Sequence, residues 1–245
     1  MGKRIVIGSA ILFCLGTASH AGLMDDIGGL LGGGKVPGVS GSVADDAKVV
    51  SGLKEALSVG TANTVAATSK VDGYFANQAI RILMPEKARK VADVLGKVGY
   101  QKEVDDFVLS MNRAAENAAP RAKTYFVEAI REMTFEDARK ILGGGDTAAT
   151  EYFRGKTQKK LYDEFRPAVS ASMDEVGVTR SYKKMVGKYA ALPMVGKAES
   201  VDLDHHVATK ALDGLFLVLG EEEKKIRTDP AARVTDLLKD VFGRK

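Results

Sequence analysis

The residue types best suited to binding a metal gather at one place, where the sequence reads VDLDHH from position 201. Asp202, Asp204, His205 and His206 carry oxygen or nitrogen ligands, and zinc needs three or four ligands that meet at one point. Adjacent residues on a helix point about 100° apart, so the two histidines cannot easily share one ion. Asp202 and His206 lie one turn apart and could supply two ligands, but no third is close in sequence. The cluster is typical of a solvated helix start, and we predict no metal site.

Paired carboxylates are the second group that could do chemistry, as a general acid and a general base. Glu136, Asp146 and Glu151 lie close together in sequence on either side of three consecutive glycines. Acidic residues are also common at helix starts for capping alone. We therefore treat these residues as weak ligand-binding candidates and assign no catalytic residue. A serine triad is not indicated, because no G-x-S-x-G sequence occurs and the two histidines above are the only ones after position 21.

A third polar group, Asn112, Arg113 and Glu116, interrupts a helix that otherwise consists of apolar and small residues. Arg113 could be a half-buried pairing residue or could anchor a ligand, so these three residues are also weak ligand-binding candidates. The stretch from Gly29 to Lys35 approaches the phosphate-loop pattern, but Val36 stands where a magnesium-binding hydroxyl is needed. We predict no cofactor.

The first residues have the three parts of a secretory signal peptide. Lys3 and Arg4 are followed by an apolar run, which is shorter than the roughly 20 residues of a membrane span. Small residues at Ser19 and Ala21 then fit signal-peptidase cleavage between Ala21 and Gly22. We expect an exported protein of the periplasm, with a signal peptide at 1–21 and no membrane span in the mature chain.

Composition excludes several further classes. The single cysteine, Cys14, lies within the apolar run and follows the large Phe13, so a lipoprotein is not expected. Removing the signal peptide leaves 34 basic and 32 acidic residues, which is too close to neutral for nucleic-acid binding. The mature chain contains no cysteine for a disulfide.

Hydrophobic periodicity after a glycine-rich leader at 22–44 predicts an all-α fold. Stripes at helical spacing recur from Asp45 to Phe242 and predict one compact domain at 45–243, with about eight or nine helices. Thr134 and Thr157 are predicted helix caps, and Asp146 or Thr147 is another. Pro120 is a predicted break or kink, and Pro167 is a predicted kink within a helix. No segment shows the alternation of a strand.

Several long blocks, in order, resemble an uncharacterised bacterial family, the domain of unknown function 4197. They include VDGYFANQAIRILMPEKARKV from Val71, VDDFVLSMNRAAENAAPRAK from Val104 and MTFEDARKILGGGDTAATEYFRGKT from Met133. The resemblance covers roughly residues 50–243. It implies a helical, exported protein and no particular activity.

These observations favour a non-enzymatic periplasmic binding or interaction protein. Its partner is unknown, and could be an apolar small molecule held between helices or another envelope protein. An envelope hydrolase with a carboxylate site is one alternative. An oligomeric structural module, assembled through a helix face such as Leu212 to Leu219, is another.

Overall fold

Eight α-helices and one 3₁₀ turn make up the regular structure of residues 40–193 and 195–229, the part of the chain that the computed structural model describes. The helices are α1 (Ser40–Ser69), α2 (Glu86–Lys97), α3 (Gln101–Ala118), α4 (Ala122–Glu132), α5 (Phe135–Leu142), α6 (Ala148–Glu175), α7 (Val178–Ala190) and α8 (Leu203–Thr228). No strand occurs within these ranges, which confirms the predicted all-α fold. The predicted signal peptide, most of the predicted leader and the predicted last helix lie outside the described residues.

Helix ends follow the predicted local signals in most places. Thr134 begins α5 with a capping box, in which its hydroxyl accepts a hydrogen bond from the Asp137 amide and the Asp137 carboxylate accepts one from the Thr134 amide. These bonds to Thr134 lower the pKa of Asp137. Pro120 lies in the 3₁₀ turn Ala119–Arg121 and separates α3 from α4, as its sequence predicts.

Two predicted boundaries are wrong. Thr157 does not cap a helix: it lies inside α6, where its hydroxyl donates to the Phe153 carbonyl oxygen at 2.7 Å. A hydroxyl that bonds back by one turn leaves the backbone ladder intact, so α6 continues. Pro167 lies inside α6, which agrees with its prediction as an intrahelical proline. The second wrong boundary is the start of α1, which begins at Ser40 instead of the predicted Asp45.

The helices α3, α6 and α8 form the centre of the packing, with α6 against both of the others. Aromatic side chains join α4, α6 and α8: the Phe126 ring lies 5.4 Å from that of Phe153 and 6.1 Å from that of Phe216, in both cases edge to face. All three rings are buried. Within the described residues, the predicted hydrophobic stripes of α4, α6 and α8 therefore meet in one core.

The connection between α1 and α2 has no helix of its own, yet it packs closely on α8. Tyr74 is fully buried in this connection, and its hydroxyl donates to the Ala211 carbonyl oxygen at 2.7 Å. Burial, and secondarily the charge of Glu116, raise the pKa of Tyr74. A Cβ at Gly214 of α8 would lie 2.9 Å from both Tyr74 and Ile80. The absence of a side chain at Gly214 thus allows the connection to approach the helix.

The start of α6 receives its cap from a different helix. Thr147 occupies the N-cap position but makes no side-chain cap bond. Instead, Glu223 of α8 accepts from the Ala149 and Thr150 amides, each at 2.8 Å, and from the Thr150 hydroxyl at 2.9 Å. Arg227 donates to the same carboxylate at 2.8 Å and to the Ile141 carbonyl oxygen at the end of α5. A buried carboxylate here both satisfies free amides and lies at the positive end of the α6 dipole.

Changing Glu223 to glutamine tests this interhelical cap. In the native protein, both carboxylate oxygens of Glu223 accept hydrogen bonds from buried donors. Glutamine replaces one of these oxygens with an N–H₂ group, which cannot accept, so at least one buried donor loses its partner. We expect the free energy of unfolding to fall by about 2 kcal/mol, measured by urea denaturation with far-ultraviolet circular dichroism. Glu221→Gln is the matched control on the exposed face of α8, with an expected change within about 0.5 kcal/mol. Equal stability of the two variants would show that Glu223 does not act as the cap.

Candidate functional site

The candidate residue Asn112 holds the backbone of the connection between α1 and α2. Its side chain is fully buried on α3, accepts from the Ile82 amide at 2.8 Å and donates to the Ile82 carbonyl oxygen at 2.9 Å. It also donates to the Val108 carbonyl oxygen one turn earlier in α3. A side-chain amide thus pairs with Ile82 as a neighbouring strand would, at a place where the connection has no strand beside it.

The candidates Glu116 and Arg113 hold the beginning of the same connection. Glu116 is 2 % exposed, and one of its carboxylate oxygens accepts from the Tyr74 and Phe75 amides at 3.0 and 3.1 Å. Arg113 donates to the other oxygen at 2.6 Å and to the Asp72 carboxylate at 2.7 Å. Burial lowers the pKa of Arg113, but its bonds to Glu116 and Asp72 outweigh this effect and leave it raised. Arg113 is therefore a pairing residue.

Together the three residues form what we call the α3 clamp, defined by Asn112, Arg113 and Glu116. Its partners are backbone groups of the connection and the Asp72 carboxylate, which lies in a turn at a φ of 65°. The clamp does not line the open groove that runs along α8. It fixes the segment that forms part of that groove, so its role is to position the site.

The groove has a volume of about 1030 Å³ and runs along α8. Three elements line it: α8, the segment 79–89 and the first turns of α6. The contributions of α8 are, in order, His206, Lys210, Asp213, Gly214, Phe216, Leu217, Gly220, Glu221 and Lys224. The groove is thus a long surface depression over one face of a helix and not a closed cavity.

Apolar side chains are exposed inside this groove. Among the described residues, five large apolar side chains are markedly exposed, namely Val71, Leu83, Val98, Phe135 and Leu217. Leu83, at 59 % exposed, and Leu217, at 45 %, line the same groove. Solvent-facing apolar groups that share one depression are typical of a binding surface.

Charged side chains line the same groove. Arg154 of α6 lies over the Phe216 ring, with its guanidinium carbon 4.6 Å from the ring centre, and its nitrogen is 3.9 Å from an Asp213 carboxylate oxygen. Lys210 reaches the same carboxylate at 3.8 Å. Arg81 lies over the Phe75 ring at 4.2 Å. The groove therefore carries both signs of charge together with exposed apolar side chains.

The candidates Glu136, Asp146 and Glu151 do not share a site. Glu136 pairs with Lys140 at 2.7 Å on the exposed face of α5. The Glu151 carboxylate accepts from the Thr147 hydroxyl at 3.3 Å, and Asp146 is exposed in the turn before α6. Of these three residues, only Glu151 lines the groove.

The cluster at the start of α8 also has structural partners. Asp202 caps the helix by accepting from the His205 amide at 2.9 Å, and it pairs with Arg166. The Nδ1 atom of His205 lies 2.7 Å from the Tyr162 hydroxyl oxygen. His206 donates to the Leu83 carbonyl oxygen at 3.0 Å, and burial lowers its pKa. No group of three or more histidine, cysteine, aspartate or glutamate side chains within the described ranges could hold a metal ion.

The gap between α1, α6 and α8 is much smaller than the groove. It is lined by apolar residues such as Leu53, Leu57 and Leu219, and its volume is about 20 Å³. That volume accommodates about one water molecule, whereas sites for small molecules usually measure about 300 to 1,000 Å³. An apolar ligand held between these helices therefore has no room at this position.

Sequence reasoning missed the groove, although one signal for it was present. Leu217 lies within an apolar run, but on a helical wheel it shares a face with Lys210, Asp213 and Glu221. Its neighbours Leu212, Leu215 and Leu219 are buried. The face from Leu212 to Leu219 is therefore mostly core, and Leu217 alone of these leucines is exposed.

A family model described as a protein of unknown function (DUF4197) matches residues 43–243. This match covers most of the chain and confirms the resemblance stated from its sequence blocks. No curated protein and no solved structure matches the chain. None of the described helices combines the length and apolar composition that crossing a membrane requires.

Changing Asn112 to alanine tests the α3 clamp. The substitution leaves the Ile82 amide and carbonyl without their partners in a buried place, so we expect the free energy of unfolding to fall by about 3 kcal/mol. Asn117→Ala is the control, because Asn117 lies on the exposed side of the same helix and should change stability by less than about 0.5 kcal/mol. Thermal unfolding by calorimetry measures both. A stable Asn112→Ala variant would mean that the connection keeps its place without the Asn112 hydrogen bonds.

Proposed function

The chain belongs to the DUF4197 family, and we propose that it is an exported, non-enzymatic binding protein of the periplasm whose groove along α8 receives a protein partner. The observation that carries this proposal is the placement of two exposed leucines, Leu83 and Leu217, in one open groove of about 1030 Å³. Exposed apolar side chains cost free energy in water, and a partner that covers them recovers it.

The shape of the groove favours a protein partner over a small apolar molecule. Small-molecule sites usually enclose most of the ligand surface. Here the α8 side chains that line the depression include the exposed Lys210, Asp213 and Glu221. An apolar centre with a charged, hydrated rim is the usual plan of a protein interface.

The chemistry of the lining supports a binding role. The lining of the groove contains no serine or cysteine. Its two threonine hydroxyls, those of Thr147 and Thr150, donate to the Glu151 and Glu223 carboxylates. Its one histidine, His206, donates to the Leu83 carbonyl oxygen and bonds to neither hydroxyl. Nucleophilic catalysis needs an activated hydroxyl or thiol beside a base. The hydrolase alternative has less support, because Glu136 and Asp146 lie outside the groove that Glu151 lines.

Export is the part of the proposal that depends on the sequence. The charged start, the short apolar run and the small residues at Ser19 and Ala21 have the order of a secretory signal. A periplasmic location would bring the groove to partners of the cell envelope.

Native mass spectrometry of the protein purified gently from its own envelope fraction tests the binding role. We expect additional mass on the native chain, and its loss in Leu217→Arg, since arginine places a charge at the centre of the apolar patch. Val98→Arg is the matched control, because Val98 is similarly exposed, at 49 %, and lies outside the groove. Circular dichroism confirms that both variants fold. Additional mass that survives Leu217→Arg, or its complete absence from the native chain, would contradict the groove as a binding site.

Amino-terminal sequencing of the protein recovered from a periplasmic fraction tests export separately. We expect the mature chain to begin at Gly22, after cleavage behind Ala21. Ala21→Phe should block cleavage, since signal peptidase requires a small residue there, and His20→Phe is the control at a neighbouring position that the enzyme does not read. Recovery of the full-length chain from the cytoplasm alone would contradict export.

A further inference from the structure

The exposed face of α8 inside the groove has a symmetric charge pattern. Leu217 is its centre, Asp213 and Glu221 lie four residues to either side, and Lys210 and Lys224 lie seven residues to either side. All five side chains are exposed and line the groove. We call these five residues the α8 stripe.

From the α8 stripe we infer that the partner in the groove is an amphipathic α-helix, with an apolar residue at its centre, basic residues one turn away on both sides and acidic residues beyond them. This inference rests on the proposed function, because it names the partner of the same groove. Leu217 and Leu83 receive the apolar residue, and the charges of the stripe set the register of the helix.

The spacing of the stripe matches a helix better than an extended peptide. The acids lie about 6 Å and the lysines about 10.5 Å from Leu217 along the axis, given a rise of about 1.5 Å per residue. A partner helix presents side chains at the same intervals on one face. In an extended chain, side chains on one face recur about every 6.8 Å, so the first interval fits and the second does not.

The carboxylates of the stripe have capacity for a partner. Asp213 lies 3.9 Å from Arg154 and 3.8 Å from Lys210, and these long, solvent-exposed pairs contribute little. Glu221 forms no ion pair among the described residues, and neither does the Lys224 ammonium group. The hydrogen bond to Glu222 and, to a smaller degree, the charge of Glu221 raise the pKa of the neighbouring Lys225. Basic residues of the partner would meet Asp213 and Glu221, and its acidic residues would meet Lys210 and Lys224.

A second copy of the chain does not satisfy this pattern. In a two-fold dimer centred on Leu217 with antiparallel helices, Lys210 faces Lys224 of the other copy and Asp213 faces its Glu221. Each of these contacts brings like charges together, which disfavours that association. The stripe thus favours a different protein with the complementary pattern.

Two designed helical peptides test the inference with the intact mature protein. The complementary peptide carries leucine at its centre, arginine four residues to each side and glutamate seven residues to each side, and a staple on its opposite face holds the helix. The control peptide exchanges arginine and glutamate, so that its composition and net charge are identical. Fluorescence anisotropy at low salt should show at least about tenfold tighter binding of the complementary peptide, with the difference shrinking as salt rises.

A groove with its charges exchanged supplies the reciprocal measurement. The variant combines four surface substitutions: Lys210→Glu, Asp213→Lys, Glu221→Lys and Lys224→Glu. We expect its preference to reverse toward the control peptide, while Leu217→Arg in the native background should weaken both peptides. Equal binding of the two peptides to the native protein would overturn the inferred charge register.

The remaining outcomes separate this inference from the proposed function. If neither peptide binds but the envelope-derived mass depends on Leu217, the helix inference is wrong and the binding role stands. If neither peptide binds and the additional mass is unchanged in Leu217→Arg, both the helix inference and the proposed binding role are wrong. A dimer in sedimentation velocity that Leu217→Arg dissociates would identify a second copy as the occupant, and would also overturn the inferred partner.

Discussion

The pairing of buried backbone groups in the connection between α1 and α2 is the constraint on which the groove depends. This connection contains hydrogen-bonded turns but no helix or strand, so buried groups such as the Ile82 amide need partners from elsewhere. A buried unpaired group costs about as much as a lost hydrogen bond. Asn112 and Glu116 of α3 supply the partners, and Arg113 balances the charge of Glu116. The position of Leu83, and with it the shape of the groove, therefore follows from polar side chains on a different helix.

A similar arrangement joins the other elements of the groove. Glu223 ties the first turn of α6 to α8, and Arg227 extends the network to the end of α5. Two buried carboxylates, each on a long helix, thus satisfy backbone amides far away in sequence. Hydrophobic burial brings the helices together but is not directional, whereas these hydrogen bonds determine which residues of the helices lie next to each other.

The sequence predicted what depends on local signals. The cap of α5 was predictable because Thr134 and Asp137 bond to each other within one turn. The helices were predictable because the spacing of apolar residues along a helix does not depend on how the helices pack. It did not predict the roles of Glu116 and Glu223, whose partners lie more than 40 and 70 residues away. Polar residues in an apolar helix marked Asn112, Arg113 and Glu116 as special, but the same types could equally face a ligand. Only the fold shows that Asn112 and Glu116 bond to backbone groups and that Arg113 pairs with carboxylates.

The symmetry of the α8 stripe has a consequence for the direction of binding. Because the signs of charge read the same from Lys210 to Lys224 as from Lys224 to Lys210, a complementary helix meets the same order of charges along the stripe whether it runs parallel or antiparallel to α8. The stripe selects register but leaves polarity degenerate. The direction of the bound helix must then be set by other residues at the two ends of the groove. His206 lies near one end, and the start of α6, beside Gly220, lies toward the other.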